Sequence, residues 1–137
     1  MAKVDLKTLK KATLAEGESQ EGMATITDVE VFQGMNKKSE KDFSVLNLCA
    51  DVTIKGADGK DKTFKWKFNR LNGHYEREGK EYPHSLNIRL DSEGAIEAKS
   101  VLGRFMNKYN VKDVSKFKGM TLPVVRENGT WKIKARV

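Results

Sequence analysis

The segment FSVLNLCADVTI, residues 43–54, limits the choice of fold more than any other stretch of the chain. Leu46, Leu48, Ala50, Val52 and Ile54 recur at every second position. A period of two puts all five side chains on one face of an extended strand and forms no helical stripe. KGADGKD follows, with an Asp58-Gly59 dipeptide suited to a tight turn. TFKWKFN then alternates again, Phe64, Trp66 and Phe68 against Thr63, Lys65, Lys67 and Asn69. Two alternating strands joined by a short turn make an antiparallel hairpin with one apolar face. That face has to be covered by the rest of the chain.

The remaining elements are read in the same way. ATITDVEVF, residues 24–32, is rich in β-branched residues and predicts a first strand, with a change of phase around Asp28 that marks a bulge. GMNKKSEKD is a polar loop. Residues 71–85, LNGHYEREGKEYPHS, keep neither period and read as a long loop, followed by a short extra strand in SLNIRL. Ser100 is a predicted N-cap, and Leu102, Phe105, Met106 and Tyr109 follow at helical spacing. Gly103 weakens that helix but allows close packing. A short turn over residues 113–117 precedes a closing hairpin around Asn128-Gly129. There Trp131, Ile133, Ala135 and Val137 face inward and Lys132, Lys134 and Arg136 outward. Residues 1–21 are expected to be a flexible or partly helical tail, and residues 22–137 one domain, as suits a chain of 137 residues. Five strands with a helix between the third and fourth predict a mainly β, OB-fold-like five-stranded antiparallel Greek-key barrel plugged by that helix.

Charge narrows the function classes. The formal net charge is +7, and residues 99–137 alone carry ten Lys and Arg against Asp113 and Glu127. A polyanion is the natural partner of such a surface. No apolar run is long enough to span a membrane, so a cytoplasmic protein with no membrane partner is expected. The sole cysteine, Cys49, excludes an internal disulfide and a multi-cysteine zinc site, and its place in an apolar strand marks a structural thiol. Phosphate-cradling Gly-rich loops, a Gly-x-Ser-x-Gly elbow and His-Glu-x-x-His are all missing, which points to a non-enzymatic protein without cofactor or metal. His74 and His84, near Glu76, Glu78 and Glu81, match no metal-ligand spacing and read as exposed loop histidines.

The interleaving of aromatic and basic residues in KDKTFKWKFNR and TWKIKAR bears most on function. Single strands are held by cations spaced along the backbone and by aromatic faces on which bases stack. The aromatics of these two strands are also the only apolar faces the strands have, so they are assigned to the core and the lysines to the surface. Lys65, Lys67 and Arg70 then form an electrostatic floor, extended by Lys132 and Lys134, with Asn47 as a hydrogen-bonding group. Stacking falls to Tyr75 and Tyr82, with Phe32 and Phe43 as weaker candidates. Lys37, Lys38, Lys41 and Arg77 would grip phosphates at the edges.

On the strand order, the TFKWKF strand, the helix from Ser100 to Tyr109 and the closing Trp131 hairpin, residues 22–137 resemble small OB-fold single-stranded-DNA-binding proteins of the kind phages and archaea encode. The resemblance implies non-enzymatic binding of single-stranded nucleic acid, DNA favoured over RNA, with little sequence preference, in replication, recombination or repair. It also allows a homo-oligomer. The chain ends on the basic Lys132 to Val137 strand, where the bacterial housekeeping relatives of that family carry an acidic tail. The competing expectation is a protein interaction or assembly module with a basic solubilising surface. A metal-assisted nuclease using His74 and His84 is a third.

Overall fold

The computed structural model describes residues 20–38 and 40–137, so most of the expected tail, residues 1–19, lies outside the described residues. The described residues form seven strands: β1 (Glu21–Asn36), β2 (Lys41–Lys55), β3 (Asp61–Phe68), β4 (Arg70–Arg77), β5 (Lys80–Ser85), β6 (Thr121–Glu127) and β7 (Thr130–Ile133). The helix α1 (Val101–Lys108) and a 3-10 turn (Val114–Phe117) stand between β5 and β6. The spatial order is β3-β2-β1-β6-β7-β4-β5. Neighbours are antiparallel except β4 and β7, which run parallel at Leu71 and Ile133. This corrects the expected five-stranded antiparallel barrel: the sheet is mixed, has seven strands, remains open with β3 and β5 as its edges, and the helix follows the fifth strand.

The two extra strands come from residues 70–85, read above as a loop. Most of β4 beyond Gly73 and the first half of β5 are exposed on both faces, so no alternation of apolar and polar residues is written there. Pro83 also argues against a central strand, but β5 is an edge, where a missing N–H costs no ladder bond. The polar loop GMNKKSEKD is corrected as well. β1 and β2 stay paired to Asn36 and Lys41, so the first hairpin projects as a long arm with exposed Val31, Phe32, Met35 and Phe43. The expected bulge is present, as a register shift between Ile26 and Asp28. The extra strand in SLNIRL reduces to two isolated bridges, Asn87 to Val45 and Leu90 to Ile96.

The alternating faces meet in one core. Leu46, Leu48, Ala50, Val52 and Ile54 are buried along β2, and Phe68, Phe105 and Phe117 are fully enclosed, each side chain contributing roughly 2–3 kcal/mol by burial. Trp131 is buried and its ring lies 5.5 Å from that of Phe64, so the sheet curls far enough for β3 and β7 to touch across the core without closing. Leu46 N donates to Leu86 O and Ile88 N to Ser44 O, both at 2.8 Å, which lays residues 86–88 along β2 beyond the end of β3.

A helix of eight residues is marginal alone. Two devices hold α1. The Ser100 hydroxyl accepts from Gly103 N at 3.0 Å, a cap worth about 1 kcal/mol. Leu102, Phe105 and Met106 enter the core. Gly103 packs so closely that a methyl group there would overlap the Glu97 carbonyl. Asn128 and Gly129, at φ 52° and 78°, make the turn between β6 and β7 that their sequence predicts. Among the described residues no helix is long and apolar enough to cross a membrane.

Candidate nucleic-acid interface

The β4–β5 ladder sets Tyr75 opposite Tyr82. Their rings stack at 5.4 Å and 22°, and Tyr75 in turn lies on His84 at 5.7 Å and 15°. Three rings thus form one column. Tyr82 at one end and Tyr75 in the middle are open to solvent, at 38% and 45%, while His84 at the other end is buried. A single exposed tyrosine would turn freely. A stacked pair with a buried third ring behind it holds a flat face in place.

A groove of about 560 Å³ separates this hairpin from the start of α1. Arg89, Lys99 and Arg104 line it with the two tyrosines, and Glu97 is the opposing carboxylate. Local chemistry explains the arrangement. Asp91 accepts from the backbone N–H of Glu93 and Ala95, and Glu97 N donates to Arg89 O at 2.9 Å, so residues 89–97 fold into a tight turn that brings Arg89 beside the helix. The Ser100 hydroxyl then donates to Glu97 O at 2.7 Å and fixes the approach to α1. The first turn of the helix holds no acidic residue. Its positive dipole end is instead flanked by Lys99 and Arg104, the reverse of what helix stability favours. Three cations against one carboxylate, facing a flat aromatic surface, suit an anion that carries a ring.

The chain's pattern singled out Tyr75 and Tyr82 but missed Arg89, Lys99 and Arg104. A signal was present: a Ser N-cap with Lys before it, Arg four residues after it and no acid between breaks the usual helix-start rule. It is a weak signal without knowledge of what faces that helix end.

The other candidates are scattered. Lys37, Lys38 and Lys41 stand exposed at the tip of the β1–β2 arm. Phe32 and Phe43 lie lower on it, tilted at 47° with centroids 6.2 Å apart, and a side chain at Gly34 would collide with the Phe43 ring. On the outer face of β2 and β3, Lys67 binds Glu30 at 3.1 Å, Lys65 pairs in register with Asp51, and Asn47 accepts from Asn69 Nδ2 at 3.2 Å. Within the expected cationic floor, the charge of Lys67 is therefore compensated. Lys132, expected to point into solvent, is buried with its ammonium 3.7 Å from Glu127. Lys134 binds Glu21 at 2.8 Å. Arg70 and Arg77 are exposed at the two ends of β4. One link joins groove and arm: Asn87, which lines the groove, bridges to Val45, and Val45 pairs with Phe32.

His84 departs from the sequence reading as an exposed histidine. Burial, with Arg104 and His74 adding to it, holds its imidazole below the ordinary value. Cys49 is half-buried, and burial followed by the neighbouring Glu30 pushes its thiol up, away from nucleophilic reactivity. Among the described residues no three His, Cys, Asp or Glu side chains gather where they could hold a metal ion.

No protein-family model, curated protein or solved structure matches this chain. The functional reading therefore rests on the groove itself.

Proposed function

We propose that the protein binds single-stranded nucleic acid, with DNA the favoured form, with little sequence preference and no chemistry of its own, in replication, recombination or repair in the cytoplasm. The observation that carries this reading is the facing of an exposed tyrosine stack and three cations across one groove. A base laid on Tyr82 directs its phosphates toward Arg89, Lys99 and Arg104. Stacking of this kind is worth about 1–3 kcal/mol per base and tolerates any base, because every base has a π-face. The row from Asn87 through Val45 to Phe32 leads on to Lys37, Lys38 and Lys41, so a longer strand has cations ahead of it.

The test is fluorescence anisotropy of a labelled strand of ~16 nucleotides, as DNA and as RNA, against the matching duplex over a range of salt. Three phosphate contacts predict a slope of log K on log salt near −2 for the single strand. Failure to bind at low salt, or binding indifferent to salt, would overturn the reading.

One observation favours a different partner. Val31, Phe32, Met35 and Phe43 are between 40% and 61% exposed on the β1–β2 arm, more apolar surface than one hairpin needs. If oligonucleotides fail, the arm becomes the leading site and a protein the leading partner. Light scattering then distinguishes self-assembly from a monomer awaiting a heterologous partner.

A further inference from the structure

His84 lies beneath the tyrosine stack with no task in the binding just described. The residue is only 5% exposed, and its ring is covered on one face by Tyr75 and has an Nδ1 atom with no hydrogen-bond partner. Gly73 makes room for it, since a side chain there would begin 2.9 Å from Nδ1. Among the described residues, the groups whose charge reaches the ring are Arg104 from α1 and His74 from β4, with Tyr75 of β4 stacked on it, while the Arg136 backbone passes on the far side of Gly73. None of these is a carboxylate.

This placement has a definite electrostatic consequence. In the free protein, burial and the Arg104 guanidinium both oppose a second proton on the imidazole. Arg104 is also one of the three cations of the groove. A phosphate seated on it brings a negative charge to the same guanidinium and cancels part of its repulsion toward His84. The imidazolium is then also held against the Tyr75 face, where a cation is favoured over a neutral ring. We propose that binding of a single strand in the groove is coupled to uptake of one proton by His84, so that the strand is held more tightly as the solution is acidified. The proton comes from bulk water and the imidazole becomes imidazolium, with no other bond changed. This inference rests on the groove being the strand site.

The sign follows from linkage. If the complex binds more protons than the free protein, affinity rises as pH falls through the window between the bound and free values, by at most tenfold per pH unit for one proton. The experiment measures the affinity of a ~16-nucleotide thymidine strand, whose bases take up no proton in this range, from about pH 5 to about pH 8 at fixed ionic strength. The native chain, His84→Gln and His74→Gln are compared, and the His84 ring protons of the native chain are titrated by NMR with and without the strand. The expected result is a several-fold gain in affinity on acidification for the native chain and for His74→Gln, a flat profile for His84→Gln, and an upward move of the His84 titration when the strand is present. A slope that survives in His84→Gln, or a His84 titration unmoved by the strand, would overturn the proposal. Because the NMR arm uses the native chain, the proposal stays testable even if His84→Gln folds poorly. Strand binding with a flat profile in the native chain removes the proton linkage alone, whereas no strand binding at any pH removes the groove reading and the linkage with it.

Discussion

Two hairpins project an aromatic pair from this sheet, and they differ in what stands behind and in front of the rings. On the β1–β2 arm, Phe32 and Phe43 are tilted at 47° and cover Gly34. Rings laid over a strand glycine repair the missing side chain, a structural task. On the β4–β5 hairpin, Tyr75 and Tyr82 lie nearly parallel, rest on the buried His84, and look across a groove at Arg89, Lys99 and Arg104. The arm has its lysines at the tip, beyond the rings. Aromatic exposure alone therefore does not define a stacking site; a backed ring with cations opposite does.

The largest expected effect removes the cations from that comparison. Replacing Arg89, Lys99 and Arg104 together by Ala should weaken single-strand binding on the order of 100-fold near 0.1 M salt and abolish most of the salt slope. All three are exposed, so the thermal midpoint should move little. An unchanged slope in the triple variant would show that the arm, not the groove, carries the phosphates. Next in size is Tyr82→Ala, expected to cost about 1–3 kcal/mol of binding, from roughly fivefold to more than a hundredfold in Kd. Anisotropy on the same strand measures both.

The same contrast explains how much was legible in the chain. The β2–β3 hairpin, the bulge, the Ser100 cap and the Asn128-Gly129 turn were readable because each has one buried face or one demanding φ, and those leave a local pattern. The β4–β5 hairpin leaves none, since its exposed length lets both faces be polar, and with it went the strand count and the open sheet order. Tyr75 and Tyr82 were found by residue type. Their neighbours Arg89, Lys99 and Arg104 come from a turn and a helix start between 7 and 29 positions along the chain, and only the fold brings them opposite. Lys132 failed in the opposite sense: alternation put it outside, yet the packing around β7 buries it on Glu127.

A smaller effect tests the arm directly. Phe43→Ala uncovers Gly34 and ends the contact with Phe32, at a cost of about 0.5–1.5 kcal/mol in stability. Strand affinity should stay within about twofold of native, well below the stacking value of 1–3 kcal/mol expected at Tyr82. Denaturant unfolding and anisotropy, run on one preparation, separate the two. Should Phe43→Ala lose as much affinity as Tyr82→Ala, the arm is a second platform and the distinction between the hairpins fails.

The smallest effect is on the pH dependence of folding, and it belongs to the tyrosine hairpin alone. The His84 imidazole titrates below its ordinary value in the folded chain, chiefly through burial and then through Arg104. Below about pH 6.5 the unfolded chain takes up a proton that the folded chain resists, so stability is full above that pH and falls as pH drops toward the folded value. Asp113 moves in the same direction but much lower, because its carboxylate accepts from Ser115 N and Oγ and titrates below the ordinary 3.8. The two are thus separable along the pH axis. Urea midpoints measured between about pH 5 and about pH 7 should rise with pH in the native chain and in Phe43→Ala, and should be flatter in His84→Gln. An equal rise in all three chains would mean that the third ring of the column is not titrating, and that Tyr75 rests on a ring that stays neutral throughout.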